Sequence, residues 1–141
     1  MQLSGAFDLE IPTYPRRQAL SDGTLVDVSR MAKETGIQYP VAVTRRVWDS
    51  YVVPDDGSKA LGYSQQGRLW AILAMFRWEI GIGQPTRAEG VEILLDLYFV
   101  MQGSKVEPVT LKAIFAPEDD MEPVITIMMP DEPVAGGTQG R

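Results

Sequence analysis

Three textures of hydrophobic and polar positions run along the chain. In the middle, from Arg68 to Ile80, Leu69, Ile72, Leu73, Phe76 and Ile80 recur at the i, i+3, i+4 spacing of a helix face. A second stripe, Trp70, Ala74 and Trp78, lies beside the first. Two stripes make an apolar arc wider than that of an ordinary surface helix, which predicts a central helix buried on most sides. Gly81 and Gly83 with Pro85 supply the expected stop. Core packing is the expected duty of Trp70, Phe76 and Trp78, with an aromatic binding site as the alternative.

After Pro85 the period changes to two. Val91, Ile93, Leu95, Leu97, Phe99 and Met101 alternate with Glu92, Leu94, Asp96, Tyr98 and Val100, the pattern of a half-buried strand. Val109, Leu111, Ala113 and Phe115 repeat it, and Val124 to Met129 forms a third run with apolar residues on both faces. If odd-numbered residues face the core in the first two strands, directly opposed residues have an even sum. The hairpin loop then has an odd length, Gly103 to Lys105 or Gly103 to Glu107. The shorter loop sets Asp96 opposite Lys112, a pair worth no more than roughly 1 kcal/mol.

The first half is shorter in grain. Phe7, Leu9 and Ile11 suggest a brief strand before Pro12 and Pro15, and Arg16 to Leu20 a helical turn or two. Ser21-Asp22-Gly23 reads as a turn. Ser29 caps a short helix that Gly36 ends. Val41 to Val53 mixes β-branched residues with Val43, Val47 and Tyr51 at helical spacing, and a helix from about Ala42 is the expectation. Pro54 to Ser58 and the residues up to Gly67 read as loop. The fold expected is α+β: N-terminal helices packed on a three-stranded antiparallel C-terminal meander. One domain covers residues 1–130, and residues 131–141 form a flexible tail rich in Gly and polar residues.

Composition narrows the chemistry. The chain has 141 residues, no Cys, no His and a net charge of −6. Thiolate nucleophiles, disulfides, histidine general bases and the usual zinc sites are therefore absent from this chain. An acidic surface disfavours direct nucleic-acid binding and favours a basic protein partner. The N-terminus lacks a signal-peptide pattern and no run is long enough to span a membrane, so a cytoplasmic location is expected. No cofactor or metal is expected, and the chain leans away from being an enzyme.

Two groups of residues are candidate sites. Tyr14, Arg16 and Arg17 with Asp22 and Asp27 place two guanidinium groups near carboxylates at a tight turn, suited to a phosphate or carboxylate ligand. Glu118, Asp119, Asp120 and Glu122, with Met128 on the outer sheet face, offer an acidic and apolar interface. A flat face around Met128 would serve a protein partner or a homodimer. Asp55-Asp56-Gly57 reads as a turn.

The run from Tyr14 to Ser29, YPRRQALSDGTLVDVS, resembles the opening of an uncharacterised family, a domain of unknown function, of short bacterial proteins associated with plasmids, phages and integrated elements. The likeness continues through Tyr39-Pro40-Val41-Ala42-Val43-Thr44, Val47-Trp48, Gly67-Arg68-Leu69-Trp70, Val109 to Lys112 and Glu122 to Pro130. Pro15 stands where the family has Thr, and the turn of Pro117 to Asp120 lacks its glycine. The resemblance implies a mobile-element setting and no catalytic residues. The leading expectation is a non-enzymatic accessory protein of a mobile genetic element that acts by protein–protein binding, in counter-defence for example. The alternative is a small nucleotide- or phosphate-ligand-binding protein or enzyme that uses Arg and carboxylate groups.

Overall fold

The computed structural model describes residues 16–82, 91–101, 105–117 and 123–132. In chain order the elements are α1 (Arg16–Asp22), β1 (Leu25–Asp27), α2 (Ser29–Glu34), β2 (Val41–Thr44) and α3 (Arg45–Val47). A π-helical turn (Trp48–Val52) follows, then α4 (Asp56–Ala60), α5 (Gln65–Ile82), β3 (Val91–Met101), β4 (Lys105–Pro117) and β5 (Pro123–Met128).

The strands form one five-stranded sheet in the order β1-β2-β5-β4-β3. The expected three-stranded antiparallel meander is therefore corrected. β3, β4 and β5 do pair antiparallel in sequence, but β2 adds to β5 in parallel and β1 closes the far edge. Val41 to Thr44 is strand, not helix. The helix begins only at Arg45, where the Thr44 hydroxyl accepts from the Val47 N–H at 3.3 Å. The helical spacing of Val43, Val47 and Tyr51 joined side chains from different elements. Residues 59 to 67 are not plain loop either. Asp55 caps α4 by accepting from the Ser58 N–H at 2.7 Å.

One apolar row crosses the whole sheet. Val26 faces Val43, Val43 faces Ile127, Ile127 faces Ala113, and Ala113 faces Ile93. These residues share a core with Leu69, Ile72, Leu73 and Phe76 of α5. That helix packs against β3, the π turn and α2. On the opposite face α1 lies over the β1–β2 end, where Ala19 meets Leu25 and Ala42, and reaches β5 through Arg16. α2 ends at Gly36, whose φ of +99° suits glycine; the Ile37 N–H reaches the Ala32 carbonyl at 2.9 Å to close the cap.

The odd-numbered residues Leu95, Leu97, Phe99, Val109, Leu111, Ala113 and Phe115 are buried, as the alternation predicts. The register is two residues off the expected one. Met101 faces Lys105 and Asp96 faces Thr110, whose hydroxyl donates to the Asp96 carboxylate at 2.8 Å. Lys112 instead lies opposite Leu94 and Met128, and its ammonium donates to the carbonyls of Pro130 and Glu132, both at 3.2 Å. The strand expected over Phe7 to Ile11 lies outside the described residues. Asp131 and Glu132, expected in the tail, are held: Arg46 pairs with Asp131 at 3.0 Å, and the Glu132 carboxylate accepts from the Met129 N–H and the Thr44 hydroxyl, both at 2.8 Å.

A further correction concerns α5. Its first stripe is inside, with Ile72, Leu73 and Phe76 fully buried. Its second stripe is outside: Trp70 is 45% exposed and Trp78 65% exposed. Phe76→Ala should therefore cost about 3–5 kcal/mol in urea denaturation, whereas Trp78→Ala should cost less than about 1 kcal/mol. Equal losses would contradict this inside–outside assignment.

Candidate functional site

The N-terminal cluster is bound into the fold. Arg16 at the start of α1 donates to the Thr126 hydroxyl at 2.5 Å and to the Ile125 carbonyl at 2.8 Å, which ties α1 to β5. Arg17 is exposed on the same helix. Asp22 accepts from the Thr24 hydroxyl at 2.7 Å and the Thr24 N–H at 3.0 Å. Asp27 does the same for Ser29, at 2.6 Å from the hydroxyl and 3.1 Å from the N–H. Each carboxylate thus closes the turn two residues ahead of it. The Ser29 hydroxyl in turn accepts from the Val41 N–H at 3.0 Å, linking the start of α2 to β2. Tyr14 lies outside the described residues.

The other predicted group is divided. Glu118, Asp119, Asp120 and Glu122 lie outside the described residues. Met128 is fully buried rather than on an outer surface. It sits opposite Lys112, whose stem runs to the turn at Pro130 to Glu132 and closes that part of the face. Among the described residues no cluster of carboxylates is placed to hold a metal ion, and no helix is long and apolar enough to cross a membrane.

Among the described residues, two groups of exposed apolar side chains stand out. The larger aromatic one is the outward side of α5. At about 100° per residue, Trp70, Ala71, Ala74, Arg77 and Trp78 fall in one sector, opposite the buried Leu69, Ile72, Leu73 and Phe76. All five outward residues are exposed. Trp70 and Trp78 stand two turns apart, about 12 Å along the axis, with only the methyl groups of Ala71 and Ala74 between. Leu61 and Tyr63, on the turn before the helix, are exposed too. The second surface is the even-numbered side of the β3–β4 hairpin, where Leu94, Tyr98 and Val106 face outward beside Glu92 and Asp96.

Single exposed apolar residues are ordinary. Two tryptophans on one helical sector are not, because each presents a large rigid apolar ring with an indole N–H that can donate. Trp, Tyr and Arg are the residue types that carry most binding energy at protein interfaces. The α5 sector offers two Trp and one Arg.

Residues 5–133 match a family of unknown function, DUF6573. The chain belongs to that family. No curated protein and no solved structure matches it. Membership of DUF6573 gives the chain kin without giving it a chemistry.

Sequence reasoning placed the tryptophans in the core and so missed this face. α5 is apolar nearly all round, and periodicity alone could not say which stripe meets the sheet. The two aspartates carried a better signal: Asp22-Gly23-Thr24 and Asp27-Val28-Ser29 both place a hydroxyl residue two positions after Asp, a turn pattern.

The Thr24 hydroxyl, and after it the Thr24 N–H, hold the Asp22 carboxyl below the usual carboxylate range. A folded-state value below the unfolded one contributes stability that is present above the unfolded value and lost as pH falls through the folded one. In an NMR titration the Asp22 midpoint should lie below that of an ordinary aspartate. Thr24→Val should raise it; an unchanged midpoint would show that the hydroxyl does not set it.

Proposed function

We propose that this DUF6573 protein acts without catalysis, by binding a protein partner through the outward face of α5. The observation that carries this reading is the joint exposure of Trp70 and Trp78 on one sector of a helix whose opposite sector is locked in the core. Covering both rings would remove on the order of 250 Å² of apolar surface, a gross gain of roughly 6 kcal/mol before the costs of association. The rigid helix beneath them keeps the ordering cost low, since only two torsions per ring need fixing.

Composition agrees with binding rather than chemistry. With no His and no Cys, the common nucleophile and general-base arrangements are missing. The net charge of −6 suits a partner with a basic rim around an apolar centre. The setting we propose is a mobile genetic element in a bacterial cytoplasm, the partner being a host defence or regulatory protein. Its support is the resemblance of Tyr14 to Pro130 to proteins of plasmids, phages and integrated elements.

The rival reading, a phosphate or nucleotide site on Arg16 and Arg17 with Asp22 and Asp27, draws no support from the geometry. Arg16 is engaged with β5, and each carboxylate is engaged with its own turn.

Affinity capture from a bacterial host with matched variants tests the reading. The partner retained by the wild-type chain should be lost by Trp70→Ala/Trp78→Ala and kept by Leu94→Ser/Tyr98→Ser, with thermal unfolding little changed in either. Retention by the tryptophan variant, or loss only by the sheet-face variant, would overturn it.

A further inference from the structure

A cavity of about 370 Å³ opens between the loop after α2 and the C-terminal half of α5. Its floor is apolar: Phe76 of α5, Phe115 of β4 and Ile125 of β5. The volume falls within the range of small-molecule sites, roughly 300–1,000 Å³. The rim is formed by Gly36, Tyr39 and Arg77. Tyr39 stands edge-on to Phe115, with ring centroids 5.1 Å apart and planes at 77°, so one wall is a fixed aromatic corner.

Arg77 is the single charged residue among the nine that line the cavity. No carboxylate faces it there. Among the described residues its guanidinium has no hydrogen bond or ion pair. Its position is nonetheless defined, because it lies across the backbone of Gly36. A Cβ built at that glycine would come within 3.2 Å of the Arg77 Nε. Gly36 thus does two things: its φ of +99° ends α2, and its missing side chain leaves room for the guanidinium at the mouth of the cavity.

An apolar floor with one unpaired guanidinium at the rim selects a particular chemistry. A planar fork of donors matches a carboxylate. Three buried apolar side chains below it reward a flat hydrocarbon body more than a polyhydroxylated or multiply charged one. We propose that this cavity binds a small amphiphilic monocarboxylate, its apolar body over Phe76 and Phe115 and its carboxylate on Arg77. The cavity shares Arg77 with the tryptophan face, but neither tryptophan lines it, so small-ligand binding is measured apart from the partner reading.

The test is isothermal titration of the full chain with 2-naphthoate and with its neutral isostere 2-naphthamide. Saturable 1:1 binding of the carboxylate is expected, with the amide weaker by about tenfold or more. Arg77→Met should lose the same factor, Arg77→Lys should keep part of the affinity, and Trp78→Ala should leave it unchanged. Arg77 is exposed, so unfolding of these variants should match the wild type. Absence of saturable binding at millimolar ligand, equal affinity for acid and amide, or full affinity in Arg77→Met would each overturn the proposal.

Discussion

The π turn and the end of edge strand β3 meet on one guanidinium. Arg68, in the first turns of α5, is 3% exposed and has no carboxylate partner among the described residues. It donates instead to the Tyr51 carbonyl at 3.1 Å, to the Val100 carbonyl and to the Met101 sulfur at 3.5 Å. Its charge also lies over the Phe99 ring, 5.6 Å from the centroid, and Phe99 stacks on Tyr51. An unpaired buried charge costs several kcal/mol. It is tolerable here because carbonyl dipoles and an aromatic face supply negative potential from several directions. The carbonyls are available for structural reasons. Tyr51 lies in the last turn of the π helix, where carbonyls lack intrahelical partners. The Val100 carbonyl, near the end of the edge strand β3, also accepts from the buried Ser58 hydroxyl at 3.1 Å.

This contact fixes how α5 is rotated. With Arg68 anchored between the π turn and β3, Leu69, Ile72, Leu73 and Phe76 turn to the sheet, and Trp70 and Trp78 turn outward. The functional proposal is therefore a consequence of the packing. The same rotation brings Arg77 to the mouth of the cavity beside Gly36. An arginine that looks like a surface residue in the sequence is inside, and tryptophans that look like core residues are outside.

What could be read from the sequence was the part governed by local period. The alternation in β3 and β4 fixed which side chains face the core, and the parity of their pairing followed from it. The two-residue offset did not, because every even-sum register satisfies the same alternation. Gly36 as a helix stop was legible from its place after a polar turn. The parallel pairing of β2 with β5 was not, since Val43 and Ile127 come together from 84 positions apart in sequence and no local pattern encodes that contact. β1 has only three residues, too few to show a period. Of the predicted site residues, Arg16, Asp22 and Asp27 make hydrogen bonds within the fold, and the surface now proposed was hidden by a helix that is apolar on both sides.

The most direct test of this account is native-state amide hydrogen exchange in Arg68→Met, compared with the wild type residue by residue. If Arg68 joins the π turn to β3, the Val53 amide, bonded to the Trp48 carbonyl, and the amides of β3 near Val100 should lose protection together, by about a hundredfold. The amides of Val28 and Ile125, bonded to the carbonyls of Val41 and Pro40 on the far side of the sheet, should keep theirs. Unchanged protection at both near sites, or loss at one without the other, would contradict the claim that this guanidinium joins the π turn to β3.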